Sequence, residues 1–226
     1  MNTRIIASTA FAAFATATLL GASLPAAADA EHRAKALEII KRDFQPRGQA
    51  GVDRLAEDGL QAICNRTGNK PPEYIAKQME ADQLAAIKFP ADGKLVGDWK
   101  EGEKIAQSGR GFTWTDNPGL PVGGNCYNCL QISPKELSFG TIGPSLYQYG
   151  KLRGNGAEVQ KYTYSKIWNA KGFNLCSEMP RFGHVGALTE QQVKHLVALL
   201  LDPESPVNKL WPPSPLPPPR GRGSLL

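Results

Sequence analysis

Beyond its first stretch, this chain of 226 residues has no apolar run long enough for a membrane span, which takes about 20 residues. No Lys/Arg stripe with interleaved aromatics appears, which argues against nucleic acid as a partner. The formal charge of +5 includes Arg4, so the excess of base is mild and suits an acidic partner surface or an anionic substrate. There is no internal repeat and no βαβ pattern. Histidine is limited to three residues and cysteine to four. What the chain does have is 23 glycines and 18 prolines, so much of it must be loop.

The beginning carries a positive start (Met1 to Arg4), an almost wholly apolar or small run (Ile5 to Leu20), and small residues at Ala26-Ala27-Ala28. This pattern predicts a secretory signal over residues 1–28, cleaved after about Ala28. Thr9, Thr16, Thr18 and Gly21 interrupt the run and weigh against a permanent anchor. About 198 residues then remain, enough for one domain or one domain plus an extension. Export would place the cysteines where disulfides persist.

Residues 29–96 read as a helical extension. Ala34, Leu37 and Ile40 give a helix over Glu31–Phe44, ended by Gln45-Pro46-Arg47-Gly48. Val52, Leu55, Ala56, Leu60 and Ile63 predict a second helix over Val52–Cys64, and a third is expected from Pro72 to about Ile87. No catalytic constellation lies here, and a packed or partner-binding arm is the expectation. Asp98 then caps a helix from Trp99 to about Ser108, in which Gly102 suggests close approach of another backbone. A short helix is expected over Tyr162–Ala170. Thr189 and Gln192 form a capping box for a last helix with Val193, Leu196, Val197 and Leu200 on one side, stopped by Asp202-Pro203. Residues 209–226 are a proline-rich tail that cannot form a core.

The chemistry centres on Gly124-Asn125-Cys126-Tyr127-Asn128-Cys129-Leu130. Cysteines at this spacing suit thioether attachment of haem, metal chelation or a thiol–disulfide couple. Around them, residues 97–208 run in the order helix, CxxC, Gly143-Pro144 turn, short helix, Met179 on a loop, terminal helix. That is the organisation of an all-α, class I cytochrome c-like domain. A haem is a flat apolar plate that a small domain holds by wrapping it, with one iron ligand on each face. Trp114, Ile142, Trp168 and Leu196 are then expected in the surrounding core.

The runs Gly124–Cys129, Gly140–Leu146 and Asn174-Leu175-Cys176-Ser177-Glu178-Met179-Pro180-Arg181-Phe182-Gly183 resemble SoxX. SoxX is the monohaem subunit of the periplasmic SoxAX cytochrome of sulfur oxidation. The resemblance implies one covalent haem c, with Cys126 and Cys129 as thioether cysteines and Met179 as distal iron ligand. It further implies a SoxA-like cytochrome subunit as partner, a SoxYZ-like carrier reached indirectly, and a soluble cytochrome c as electron acceptor. In such a complex thiosulfate is oxidatively joined to a carrier cysteine. The sulfur chemistry resides in the SoxA-like subunit, and electron transfer falls to this chain.

One position departs from that pattern. Leu130 stands where the attachment motif has its iron-binding histidine, and leucine has no donor atom. The chain is therefore expected to be impaired as a cytochrome, or to serve as a non-catalytic structural or assembly subunit without functional haem. Replacement by His184 or His195 is a further possibility, with His32 far upstream. A Cys₃His zinc site from Cys126, Cys129, Cys176 and His184, and a thioredoxin-like pair, are the non-haem alternatives. Cys64 and Cys176, left over in an oxidising compartment, are expected to join the helical arm to the methionine loop; a free Cys176 or a bond to a partner is the other reading. Lys151, Arg153 and Arg181 could attract an acidic partner.

Overall fold

The computed structural model describes residues 24–210, with side chains from residue 30 onward. Most of the expected signal segment (1–23) and nearly all of the proline-rich tail (211–226) lie outside the described residues. Among the described residues there is no strand, so the chain is all-α as its periodicities require. No helix among them is long and apolar enough to cross a membrane.

The chain divides into two compact units. The first comprises the segment up to residue 47 together with 51–55 and holds α1 (Leu24–Asp43) and a 3₁₀ turn at Val52–Leu55. Ala30, Ala34 and Ala36 favour the helix, and Lys41 and Arg42 sit in its last turn, where cations suit the negative end of the helix dipole. Leu37 and Ile39 are exposed on it.

The second unit, residues 48–50 and 56 onward, contains six helices among its described residues. They are α2 (Gly59–Arg66), α3 (Glu73–Ala85), α4 (Trp99–Gln107), α5 (Tyr149–Arg153), α6 (Ala157–Trp168) and α7 (Glu190–Leu201). The continuous helix expected over Val52–Cys64 is not formed. Asp58 ends that continuity: its carboxylate accepts the Gln61 N–H at 2.7 Å while its own N–H donates to the Gln61 side chain at 2.9 Å. This capping box starts a new helix one residue later. Thr189 and Gln192 do the same for α7, and Asp98 caps α4 through the Lys100 N–H.

The frame of this unit is the packing of α4 on α7, with α5 and α6 also laid against α7. From Val193 to Leu201 only His195 of α7 escapes full burial, so this helix is core nearly all round. Each large apolar side chain so buried contributes about 1.5–3 kcal/mol. Gly102 is where the two helices touch: a Cβ there would overlap the His195 carbonyl oxygen and lie 2.9 Å from Leu199 Cβ. The close backbone approach expected from that glycine is therefore present. Trp168 and Leu196 belong to the core, and Trp168 stacks on Tyr164. Trp114 and Ile142 do not; they are 56% and 76% exposed, and both sit on loops outside the helices.

Candidate functional site

The paired cysteines are presented by a 3₁₀ turn at Cys126–Asn128. Two backbone bonds hang this turn from the end of α4: Gly124 N–H to Ile105 O at 2.8 Å and Asn125 N–H to Ser108 O at 2.9 Å. Asn125 enters it with φ of 48°, a left-handed conformation that asparagine tolerates better than most residues. The Cys129 and Leu130 N–H groups both donate to Cys126 O at 3.1 Å, which closes the turn. Tyr127 anchors it from below: its hydroxyl donates to the Glu103 carboxylate at 3.1 Å and accepts from Ser133 N–H. Burial, with Glu103 beside it, pushes the Tyr127 phenol well above its ordinary range.

The Gly143-Pro144 turn closes on this element through Gly143 N–H to Cys129 O at 2.9 Å. Leu130 lies directly against Gly143; a Cβ there would overlap Leu130 Cδ2. The leucine is thus packed against the turn.

Met179 arrives on a separate, irregular loop. Cys176 is joined to Cys64 of α2 by a disulfide with Cα atoms 5.6 Å apart, the pairing expected from the sequence. The Leu175 N–H donates to Glu80 of α3 at 2.8 Å, and Asn169 donates to the Gln83 side chain at 3.0 Å. Arg181 forms an ion pair with Asp58. Burial raises the Asp58 carboxyl, but the Gln61 N–H and Arg181 outweigh it and hold that carboxyl below the usual carboxylate range. Helices α2 and α3 therefore clamp the methionine loop; the sequence pointed to the disulfide in this clamp but not to Glu80, Gln83 or the Asp58–Arg181 pair.

These elements enclose a cavity of about 190 Å³. Cys126, Leu130 and Pro144 form one part of its wall, Met179 and Phe182 another, and Leu196, Leu199 and Leu200 of α7 its floor. Cys126 and Met179 are thus brought to one apolar space. Cys129 is half-buried one turn further on and does not line it.

Neither His184 nor His195 lines the cavity. His195 Nδ1 accepts the Asp98 N–H at 2.8 Å and pins α7 to the start of α4. His184 is largely exposed, 3.5 Å from the Asn169 amide, and partial desolvation together with Arg181 lowers its pKa. His32 belongs to the first unit. The zinc alternative fails because Cys176 is in a disulfide, and no cluster of three metal-binding side chains occurs among the described residues. A thioredoxin-like role needs a depressed thiol pKa. Burial, reinforced by the nearby Cys129, pushes the Cys126 thiol up to about 12 instead.

The donor set fits haem c in part. Cys126, Met179 and the apolar walls are what a thioether-anchored plate with a methionine ligand requires. The side of Leu130 does not fit, since no histidine replaces the missing donor there. Among the lining residues outside the expected site are two cations: Lys166, which shares an α6 face with Tyr162 and Thr163, and Arg153 at the end of α5. Lys166 lies three residues after Thr163 and four after Tyr162, and that helical spacing was the signal available for the first.

No protein-family model matches this sequence. It is 38% identical over 156 residues to an uncharacterized lipoprotein of Aquifex aeolicus (strain VF5), an overlap of 68% of this chain and 74% of that protein. With that identity over most of both chains, this protein belongs to the family of the uncharacterized Aquifex aeolicus lipoprotein.

Proposed function

We propose that this chain is a SoxX-like haem c subunit of a SoxAX-like complex, with electron transfer impaired by Leu130. The observation that carries the reading is the shared apolar cavity of Cys126 and Met179, framed by Pro144 and α7. Haem c, when bound, supplies one-electron carriage. Cys126 and Cys129 would hold it, Met179 would offer a soft sulfur to the iron, and the apolar floor of α7 would exclude water. Leu130 offers nothing to the opposite face. A SoxA-like partner would carry out the oxidative coupling of thiosulfate to a carrier cysteine, with a SoxYZ-like carrier as recipient and a soluble cytochrome c as electron acceptor. The Aquifex relative is described as a lipoprotein, which supports an exported, periplasmic setting for this chain. The packing of Leu130 against Gly143 favours a second reading, a structural or assembly subunit of the same complex without functional haem.

One experiment separates the two readings. The full chain is expressed with cytochrome c maturation machinery, and its visible spectrum is taken before and after acid–acetone extraction. A Soret band that survives extraction is the expected result and shows covalent haem. A colourless protein overturns the haem reading and leaves the structural one.

A further inference from the structure

Two cationic residues line the cavity, and neither reading above uses their charge. They are Arg153 and Lys166. Neither has a carboxylate within ion-pair distance among the described residues. Aromatic rings hold them instead. The Arg153 guanidinium lies 5.3 Å from the Tyr149 ring centre and 5.8 Å from that of Tyr162, and Lys166 Nζ lies 5.2 Å from that of Phe173.

A guanidinium held by its face keeps its in-plane N–H donors for a planar anion. A cation beside apolar walls loses part of its hydration, and an anion brought by a ligand offsets that loss. Burial already lowers the Lys166 pKa, against the longer-range pull of Glu80. The rest of the lining is almost wholly apolar, and the cavity of about 190 Å³ exceeds the ~150 Å³ apolar cavity that takes up benzene.

We propose that this cavity binds amphiphilic anions, molecules with an aromatic or alkyl body inside and one anionic oxygen group held by Arg153 and Lys166. Haem would fill this same cavity, so the proposal concerns the haem-free chain. Its test therefore uses the full chain expressed without maturation machinery, so that failure here leaves the haem reading as it stood.

The probes are octanoate and 1-octanol, which share an alkyl body and differ in charge, titrated by isothermal calorimetry. Octanoate is expected to bind at least about tenfold more tightly than octanol, the worth of one charge-assisted contact. In the double variant Arg153→Gln/Lys166→Gln that preference should vanish while octanol binding is retained, which reports an intact cavity. In Lys161→Gln, an α6 cation outside the cavity lining, octanoate affinity should be unchanged. Equal affinities for the two probes, or no binding of either, would overturn the proposal. So would loss of octanol binding in the double variant, because the cations would then act through the fold.

Discussion

The disulfide between Cys64 and Cys176 offers the sharpest quantitative test of how this domain holds its methionine loop. The bond closes a loop of 112 residues in sequence. On the chain-entropy account, a loop of that length restricts the unfolded chain by about 4.8 kcal/mol at 25 °C, and measured native disulfides give roughly 2–5 kcal/mol. Noncovalent contacts around it are few: Leu60, Cys64 and Leu175 form a small cluster, supported by Ile63, Ala76 and Met79. The bond should therefore dominate the attachment of α2 to the loop. Urea unfolding of the protein with and without reductant isolates it, because both sulfurs remain in place. A loss near 3 kcal/mol should lower the midpoint by about 1–2 M urea. The variant Cys64→Ala/Cys176→Ala should be weakened to a similar degree and be indifferent to reductant. If the midpoint of the unmodified protein moved by less than about 0.3 M on reduction, the clamp would be carried by the hydrogen bonds to Glu80 and Gln83 and the reasoning would fail.

Gly102→Ala gains about 1 kcal/mol of helix propensity but forces α4 off the His195 carbonyl, so a net loss near 2 kcal/mol and a fall in Tm of roughly 5 °C are expected by calorimetry. Asp58→Ala removes the cap of α2 and the partner of Arg181 and should cost about 1–2 kcal/mol at pH 7. Because the folded-state pKa of Asp58 is lowered, that contribution is present above the unfolded carboxyl value near ~3.9 and is lost as pH falls through the folded value. Chemical denaturation of the two proteins should therefore converge in acid, and a difference independent of pH would refute the assignment. Leu130→His, expressed with maturation machinery, should give covalent low-spin haem. In that background Met179→Ala should abolish the far-red methionine-to-iron charge-transfer band; persistence of the band would remove Met179 from the iron.

Some of this architecture was written locally and could be read without the fold. The caps of α4 and α7 depend on side chains within three residues of the helix start, Asp98 with Lys100 and Thr189 with Gln192, so their signals survive in a linear sequence. Gly102 was legible because a glycine inside a helix is costly unless a neighbour needs the space. The Cys64–Cys176 pairing followed from compartment and elimination. One local signal was passed over: the 52–64 segment shows apolar spacing throughout, yet the Asp58/Gln61 capping box, itself a three-residue pattern, starts α2 only at Gly59. Tertiary structure decided the rest. Helix α5 spans five residues, too few to show a period. That α2 and α3 grip the methionine loop depends on contacts between residues some 90 to 125 positions apart, Glu80 with Leu175 and Asp58 with Arg181 among them. Trp114 and Ile142 were apolar enough for a core, but exposure depends on what the chain folds over them, and both remain largely exposed. Which cysteine faces the cavity, and which cations line it, depends on how three loops and α5–α7 converge, and no window of sequence contains that geometry.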